Sequence, residues 1–171
     1  MIKVLETPRL LLRYFQIDDA EFILQLLNEP SFKEHIGDKG VTTVDDAGLY
    51  LQNGPLDSYE RFGYGLNMVE LKESGEAIGM CGLVRRDGLD DADIGYAFLE
   101  QHWSMGYARE SAEAVLTHAR ETLGLNRIVA IVTSKNHSSI KLLERIGLTF
   151  ERMIQLADDD EELKFFVSDA S

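Results

Sequence analysis

Apolar residues recur along this chain with two different periods, and the changes of period mark out its elements. Arg9–Tyr14 (RLLLRY) predicts a first strand. Asp18 with Glu21 forms a capping-box pattern opening a helix carried by Ile23, Leu26 and Leu27, closed at Asn28-Glu29-Pro30. Ser31 with Glu34 offers a cap for a second short helix to about Ile36, and Gly37–Gly40 reads as a loop. Thr43 to Gln52 is a third helical segment, ended by Asn53-Gly54-Pro55. The middle of the chain changes character. Tyr64–Leu71, Ala77–Val84 and Asp93–Leu99 are strand-like and separated by the turn-rich KESGE and RRDGLDD, with a tight hairpin through Glu73-Ser74-Gly75, so an antiparallel meander is expected. A long helix follows, with Ala108, Ala112, Val115, Leu116, Ala119 and Leu123 at helical spacing and Gly124 placed to stop it. Arg127–Thr133 (RIVAIVT) is β-branched almost throughout, the mark of a strand covered on both faces. A helix from about Ser138 to Ile146, stopped by Gly147, leads to a closing hairpin of Leu148–Leu156 and Leu163–Val167. The pattern predicts a mixed α/β (α+β) fold, with a mostly antiparallel sheet of about seven strands flanked by helices, in a single domain spanning residues 1–171.

Composition narrows the function. The 171 residues suffice for one domain with a proper core. A net charge of −13 argues against nucleic-acid binding through phosphate contacts, and mildly favours a cationic partner. Part of that charge lies in the runs Asp87–Asp93 and Asp158–Glu162, expected as solvated hairpin tips. No apolar run has the length of a membrane span, and MIKVLETPRL lacks a signal-peptide core, so a cytoplasmic protein without a membrane role is expected. The lone cysteine, Cys81, sits among apolar residues and reads as a core residue. His35, His102, His118 and His137 have no ligand-like spacing, so no metal is expected.

The candidate chemistry lies where Ile94–Phe98 (IGYAF) runs through a small-residue turn into the long helix. A strand feeding such a turn directs unpaired backbone N–H groups and a helix dipole outward, which suits phosphate oxygens. The other reading is an ordinary β–turn–α unit whose Gly106 only eases the turn. The usual nucleotide and hydrolase signatures (G-x-x-x-x-G-K-[ST], G-x-G-x-x-G after a strand, H-E-x-x-H, G-x-S-x-G) are missing.

Three features combine in order. E-T-P-R-L-L-L-R stands near the N-terminus, followed by Asp18-Asp19-Ala20. W-S-M-G-Y-A-R opens the long helix, and Asn136-His137-Ser138-Ser139 precedes a helix ending E-R-I-G-L. Together they resemble the GNAT superfamily of acyl-CoA-dependent N-acetyltransferases, in its RimJ/RimL-like branch, over about residues 6 to 167. The resemblance implies a splayed strand pair at an acyl-CoA site. It also implies that backbone N–H groups of Ser104, Met105, Gly106, Tyr107, Ala108 and Arg109 hold the diphosphate of acetyl-CoA. Backbone groups of Tyr96, Ala97 and Phe98 would meet the pantetheine arm and acetyl carbonyl, Asn136 would contact the same arm, and Ser139 would stand near the sulfur. Asn136 could equally be a plain helix-entry residue.

The implied reaction is direct attack of a neutral amine on the thioester. An amine of pKa near ~10.4 must first lose a proton to a base. Asp93 is the first choice, with Asp90 and Asp91 as neighbours that could raise its pKa, against the alternative of a solvated acid at a hairpin end. Glu100 is second. Departures from the family pattern matter too. Leu143 stands where many relatives have a tyrosine as general acid, leaving Ser139 as candidate for the thiolate's partner. Ser104 and Met105 replace the usual Gly and Lys/Arg of the loop, so that Arg109 is left to compensate unless it only pairs with Glu113. Trp103 is either an anchor or a ligand contact.

The expected partner is an amine acceptor, a peptide N-terminus or a small amine, for a monomer or homodimer. Two other classes stay open: a non-catalytic acyl-CoA-binding sensor on the same fold, and a dinucleotide-binding domain, which the missing fingerprint and the meander oppose.

Overall fold

The computed structural model describes residues 1–157 and 160–169. Its strands are β1 (Lys3–Glu6), β2 (Leu10–Tyr14), β3 (Leu66–Leu71), β4 (Ala77–Val84), β5 (Ala92–Phe98), β6 (Arg127–Thr133), β7 (Thr149–Ile154) and β8 (Leu163–Asp169). They form one eight-stranded sheet in the order β1-β2-β3-β4-β5-β6-β8-β7. Every neighbouring pair is antiparallel except β5–β6, which is parallel. The expected meander is β3 to β5, with β2 antiparallel beside β3, and the closing hairpin is present with β8 as its inner strand. Asp158 and Asp159, in the acidic tip of that hairpin, lie outside the described residues.

The helices are α1 (Ala20–Leu27), α2 (Pro30–His35), α3 (Val44–Leu51), α4 (Asp57–Phe62), α5 (Tyr107–Glu121) and α6 (His137–Arg145). Four local expectations need correction. An extra strand, β1, precedes the first one expected; its four residues give too short an alternation to read, and pairing with β2 holds it. The first capping box is formed by Gln16 and Asp19 rather than Asp18 and Glu21, around a 3₁₀ turn leading into α1. Glu29, with Pro30 as the first helical residue, opens α2 in place of Ser31. Asn53-Gly54-Pro55 does not end α3. A π-type turn over Gln52–Leu56 absorbs the missing N–H of Pro55, and the chain continues into α4, which ends at Gly63 with φ +79°. Thr43 does cap α3, in a reciprocal box with Asp46.

Strand alternation sorts the side chains onto two faces. On one face Leu83, Ile94, Phe98 and Ile128 pack against Ala112, Val115, Leu116 and Ala119 of α5 and Leu143 of α6. On the other, Met68, Met80 and Ala97 meet Ile23, Leu26 and Leu27 of α1 and Ala47 and Leu51 of α3. Cys81 lies fully inside the first layer, where burial pushes its thiol up to about 12, so it is the inert core residue expected. Arg13, 8% exposed, forks between Asp19 and Glu70 and ties β2 to β3 and to the turn before α1.

One departure from regularity positions everything that follows. β4 and β5 stay paired from Val84↔Asp93 to Gly79↔Phe98. β5 and β6 pair only at Ala92↔Ile128 and Asp93↔Val129. From Ile94 onward β5 leaves β6, and the sheet opens into a slot.

Candidate active site

The slot has a foot, two faces and a mouth. At the foot stands Asp93, opposite Val84 and four residues before Ala97, which packs with α1 and α3, so alternation places its side chain on that face. Its carboxylate is 2% exposed and accepts a hydrogen bond from Nε of Arg86. Burial is the main influence and pushes the carboxyl up to about 6, against the opposing pull of the Arg86 guanidinium. Both sequence expectations are therefore corrected: Asp93 is not a solvated acid at a hairpin end, and Asp90 and Asp91 are not what raises its pKa. Asp91 pairs with Arg127 instead, and it is lost hydration that perturbs Asp93. Arg86 also lies close enough to Lys39 to add to the lowering of that residue's pKa, after the larger effect of desolvation.

Tyr96 faces the other way, toward α5 and α6, opposite Cys81. Its hydroxyl lies 2.6 Å from Oγ of Ser139 in the first turn of α6. Asn136 caps that helix, its side-chain oxygen accepting from the Ser139 N–H at 3.3 Å. The capping role and a ligand role are compatible here, because the Asn136 amide NH₂ has no partner among the described residues.

At the mouth, the loop before α5 has an unusual backbone. Gly106 is the N-cap with φ +83°, and Ser104 has φ +64°, the one positive value at a non-glycine among the described residues. Among the described residues no side chain caps α5. The first N–H groups of a helix have no partner within it, so those following Gly106 are free to receive an anion, with the dipole favouring negative charge. A serine in the left-handed region costs about 1–2 kcal/mol. Ser104→Gly is therefore expected to raise stability by about 1 kcal/mol, measured by denaturant unfolding, with acetyl-CoA affinity kept within about twofold; lower stability would show that the serine side chain supports the loop.

A clamp that the sequence did not reveal holds this loop. Arg9 donates from Nε to Glu110 at 2.8 Å and from Nη1 to the Met105 carbonyl at 2.9 Å, and its guanidinium lies 4.5 Å from the Tyr107 ring centre. Thr7 donates to the same Glu110 carboxylate at 2.5 Å. The motif T-P-R-L thus fastens the sheet edge to the loop and first turn of α5. Arg9, through its contact with the Met105 carbonyl, is a second cation beside the loop, while Arg109 pairs with Glu113 along the helix surface at 2.8 Å. The signal was present as a recurring T-x-R-L in the resemblance, but nothing in the spacing says what the arginine grips.

Two further expectations are refined. Trp103 is 49% exposed and donates its indole N–H to the Phe98 carbonyl at 2.9 Å, so it braces the end of β5 and occupies one of the backbone groups expected to be free. Glu100 is exposed, and its backbone N–H donates to Glu29. It lies seven residues beyond Asp93, roughly 20 Å along an extended strand, so the two carboxylates occupy opposite ends of the slot.

The arrangement can hold a phosphorylated ligand at the mouth and an extended arm along β5. A reacting carbonyl at the foot would then have hydroxyls on one face and a carboxylate on the other. No group of three or more His, Cys, Asp or Glu side chains suited to a metal occurs among the described residues.

Residues 9–149 match the Acetyltransferase (GNAT) domain family. The chain is 30% identical over 155 residues to a protein of Bacillus licheniformis named as an uncharacterized N-acetyltransferase, p20, covering 90% of this chain and 86% of that one. It is 29% identical over 157 residues to the similarly named YoaA of Bacillus subtilis (strain 168), covering 91% and 88%. Among solved structures it superposes on an acetyltransferase from Agrobacterium tumefaciens str. C58 with a TM-score of 0.81 at 27% identity, covering 98% and 94% of the two chains. It shares its fold with RimL, a ribosomal L7/L12 alpha-N-protein acetyltransferase solved with coenzyme A, at a TM-score of 0.83, 19% identity and 98% coverage of both chains. With family, relatives and architecture in agreement, the chain belongs to the GNAT acetyltransferase family and is an N-acetyltransferase.

Proposed function

We propose that the protein transfers an acetyl group from acetyl-CoA to a primary amine by direct attack, without an acyl-enzyme. The observation that carries this reading is the slot between β5 and β6, with the uncapped start of α5 at its mouth and polar groups on its two faces. The diphosphate docks on the N–H groups from Ser104 to Arg109. The pantetheine arm runs along Tyr96–Phe98 and meets the Asn136 amide, and the thioester comes to rest beside Ser139. The amine approaches from the α1–α3 face. Acetyl-CoA supplies the acyl group, and the chain supplies position, which contributes a large part of such a rate.

Asp93 is assigned as the base, in preference to Glu100. A carboxyl with a pKa of about 6 is ionised at neutral pH and still basic enough to accept a proton through water. Its close pairing with Arg86 and its 2% exposure favour a second reading, in which Asp93 is a structural partner of Arg86 and the proton leaves directly to solvent.

The acceptor is a peptide N-terminus or a small amine. The chain's overall negative charge favours cationic acceptors. RimL, which shares the fold, is named for acetylating a ribosomal protein's α-amino group. A thiol-release screen across small amines and peptide N-termini tests the assignment. Release with at least one acceptor class is expected; acetyl-CoA binding with no release across the panel would favour the sensor reading.

A further inference from the structure

We propose that Tyr96 is a positioning residue for the Ser139 hydroxyl, turning the serine proton toward the coenzyme A sulfur. The inference rests on the placement of the thioester beside Ser139 proposed above. Tyr96 sits in the splayed part of β5, two residues past Ile94, and its phenol crosses to the first turn of α6. The oxygens are 2.6 Å apart, in a hydrogen bond that either can donate, and the phenol's alternative donation, to the Ser139 carbonyl, is the longer one at 3.4 Å. A serine at such a position ordinarily turns its proton back onto its own helix backbone. When the phenol donates to Ser139 Oγ, the serine keeps its acceptor side occupied and its own O–H points away from Tyr96, into the slot. Donation into Oγ also makes that O–H a stronger donor.

Burial raises the Tyr96 pKa above the ordinary tyrosine range, so the phenol stays protonated and remains a donor across the working pH range. The titratable group facing it is Cys81, protonated itself because burial pushes it to about 12. Leu143, where relatives carry a tyrosine, is 2% exposed and packed in the core; in this chain the phenol reaches the site from the strand instead. During transfer the amine nitrogen, its proton passed through water to Asp93, forms the new carbon–nitrogen bond, while the carbon–sulfur bond breaks and its electron pair goes to sulfur. Ser139 donates a hydrogen bond to that thiolate, which is protonated from water as Asp93 returns its proton to solvent; no proton leaves Tyr96.

The test titrates the thiol of bound coenzyme A by the ultraviolet absorbance of its thiolate, in wild type, Tyr96→Phe, Ser139→Ala and the double variant, with steady-state kinetics alongside. Tyr96→Phe keeps the ring and its packing. Both single variants are expected to raise the bound thiol's pKa and to lower kcat about fivefold to tenfold, the worth of one hydrogen bond, with acetyl-CoA affinity within about twofold. The double variant should match Ser139→Ala, because the tyrosine acts through the serine. A thiol shift in Ser139→Ala but none in Tyr96→Phe would overturn the role of Tyr96 and leave the thioester placement standing. No shift in either variant would overturn that placement, and this inference with it.

Discussion

Replacing Gly106 by proline is expected to abolish acetyl-CoA binding, with affinity falling by at least about a hundredfold. Gly106 holds φ +83° as the N-cap of α5, whereas proline fixes φ near −65° and has no N–H. The substitution removes one donor and turns the amides after it away from their common target. Losing two hydrogen bonds to a charged group, at about 1.5–3 kcal/mol each, gives a loss of that size. Gly106→Ala separates conformation from chemistry. It keeps the N–H, but a side chain is strained at this φ, and its Cβ would come within 3.3 Å of Nη2 of Arg9. An intermediate loss of about tenfold is expected. Calorimetry measures both, with circular dichroism confirming that α5 persists. Unchanged affinity in a folded Gly106→Pro protein would show that the diphosphate binds elsewhere.

Asp93→Asn is expected to lower kcat at neutral pH by about a hundredfold while leaving acetyl-CoA affinity intact. With the wild-type carboxyl at about 6, activity should fall as pH drops through 6, and the variant should lack that limb. Stability should move in the opposite sense. A carboxyl raised on folding, from an ordinary 3.8 to about 6, favours the folded state most below pH ~4, and that contribution is lost as pH rises through 6. At pH 7.5 the ionised, buried Asp93 therefore costs about 3 kcal/mol relative to acid conditions. Denaturant unfolding should show the variant gaining on wild type by about 2–3 kcal/mol between pH 4 and 7.5. Wild-type turnover in Asp93→Asn across pH would assign Asp93 to the structural pairing with Arg86.

The residues that announced themselves in the sequence are those whose backbone or periodicity matters. The 3.6 spacing from Ala108 to Leu123 located α5, the β-branched run at Arg127–Thr133 located β6, and Gly106 marked the turn that became an N-cap. Contacts made across the sheet left no such trace. The grip of Arg9 on Glu110 joins residues 101 apart, and that of Tyr96 on Ser139 joins residues 43 apart. Neither pair has a period or a motif of its own. Asp93 shows the same limit from another side. Its acidic neighbours in sequence suggested exposure, yet strand alternation carries it beneath Arg86 while Asp91 turns to Arg127. The continuation of α3 through Pro55 was hidden because a π-type turn can absorb a proline that usually ends a helix.

A crystal structure of the protein with coenzyme A tests the central claim most directly. The account predicts diphosphate oxygens within hydrogen-bonding distance of backbone N–H groups between Ser104 and Arg109, the arm lying along β5, and the sulfur beside Ser139. A diphosphate bound away from the start of α5, or an arm that never enters the slot between β5 and β6, would contradict it.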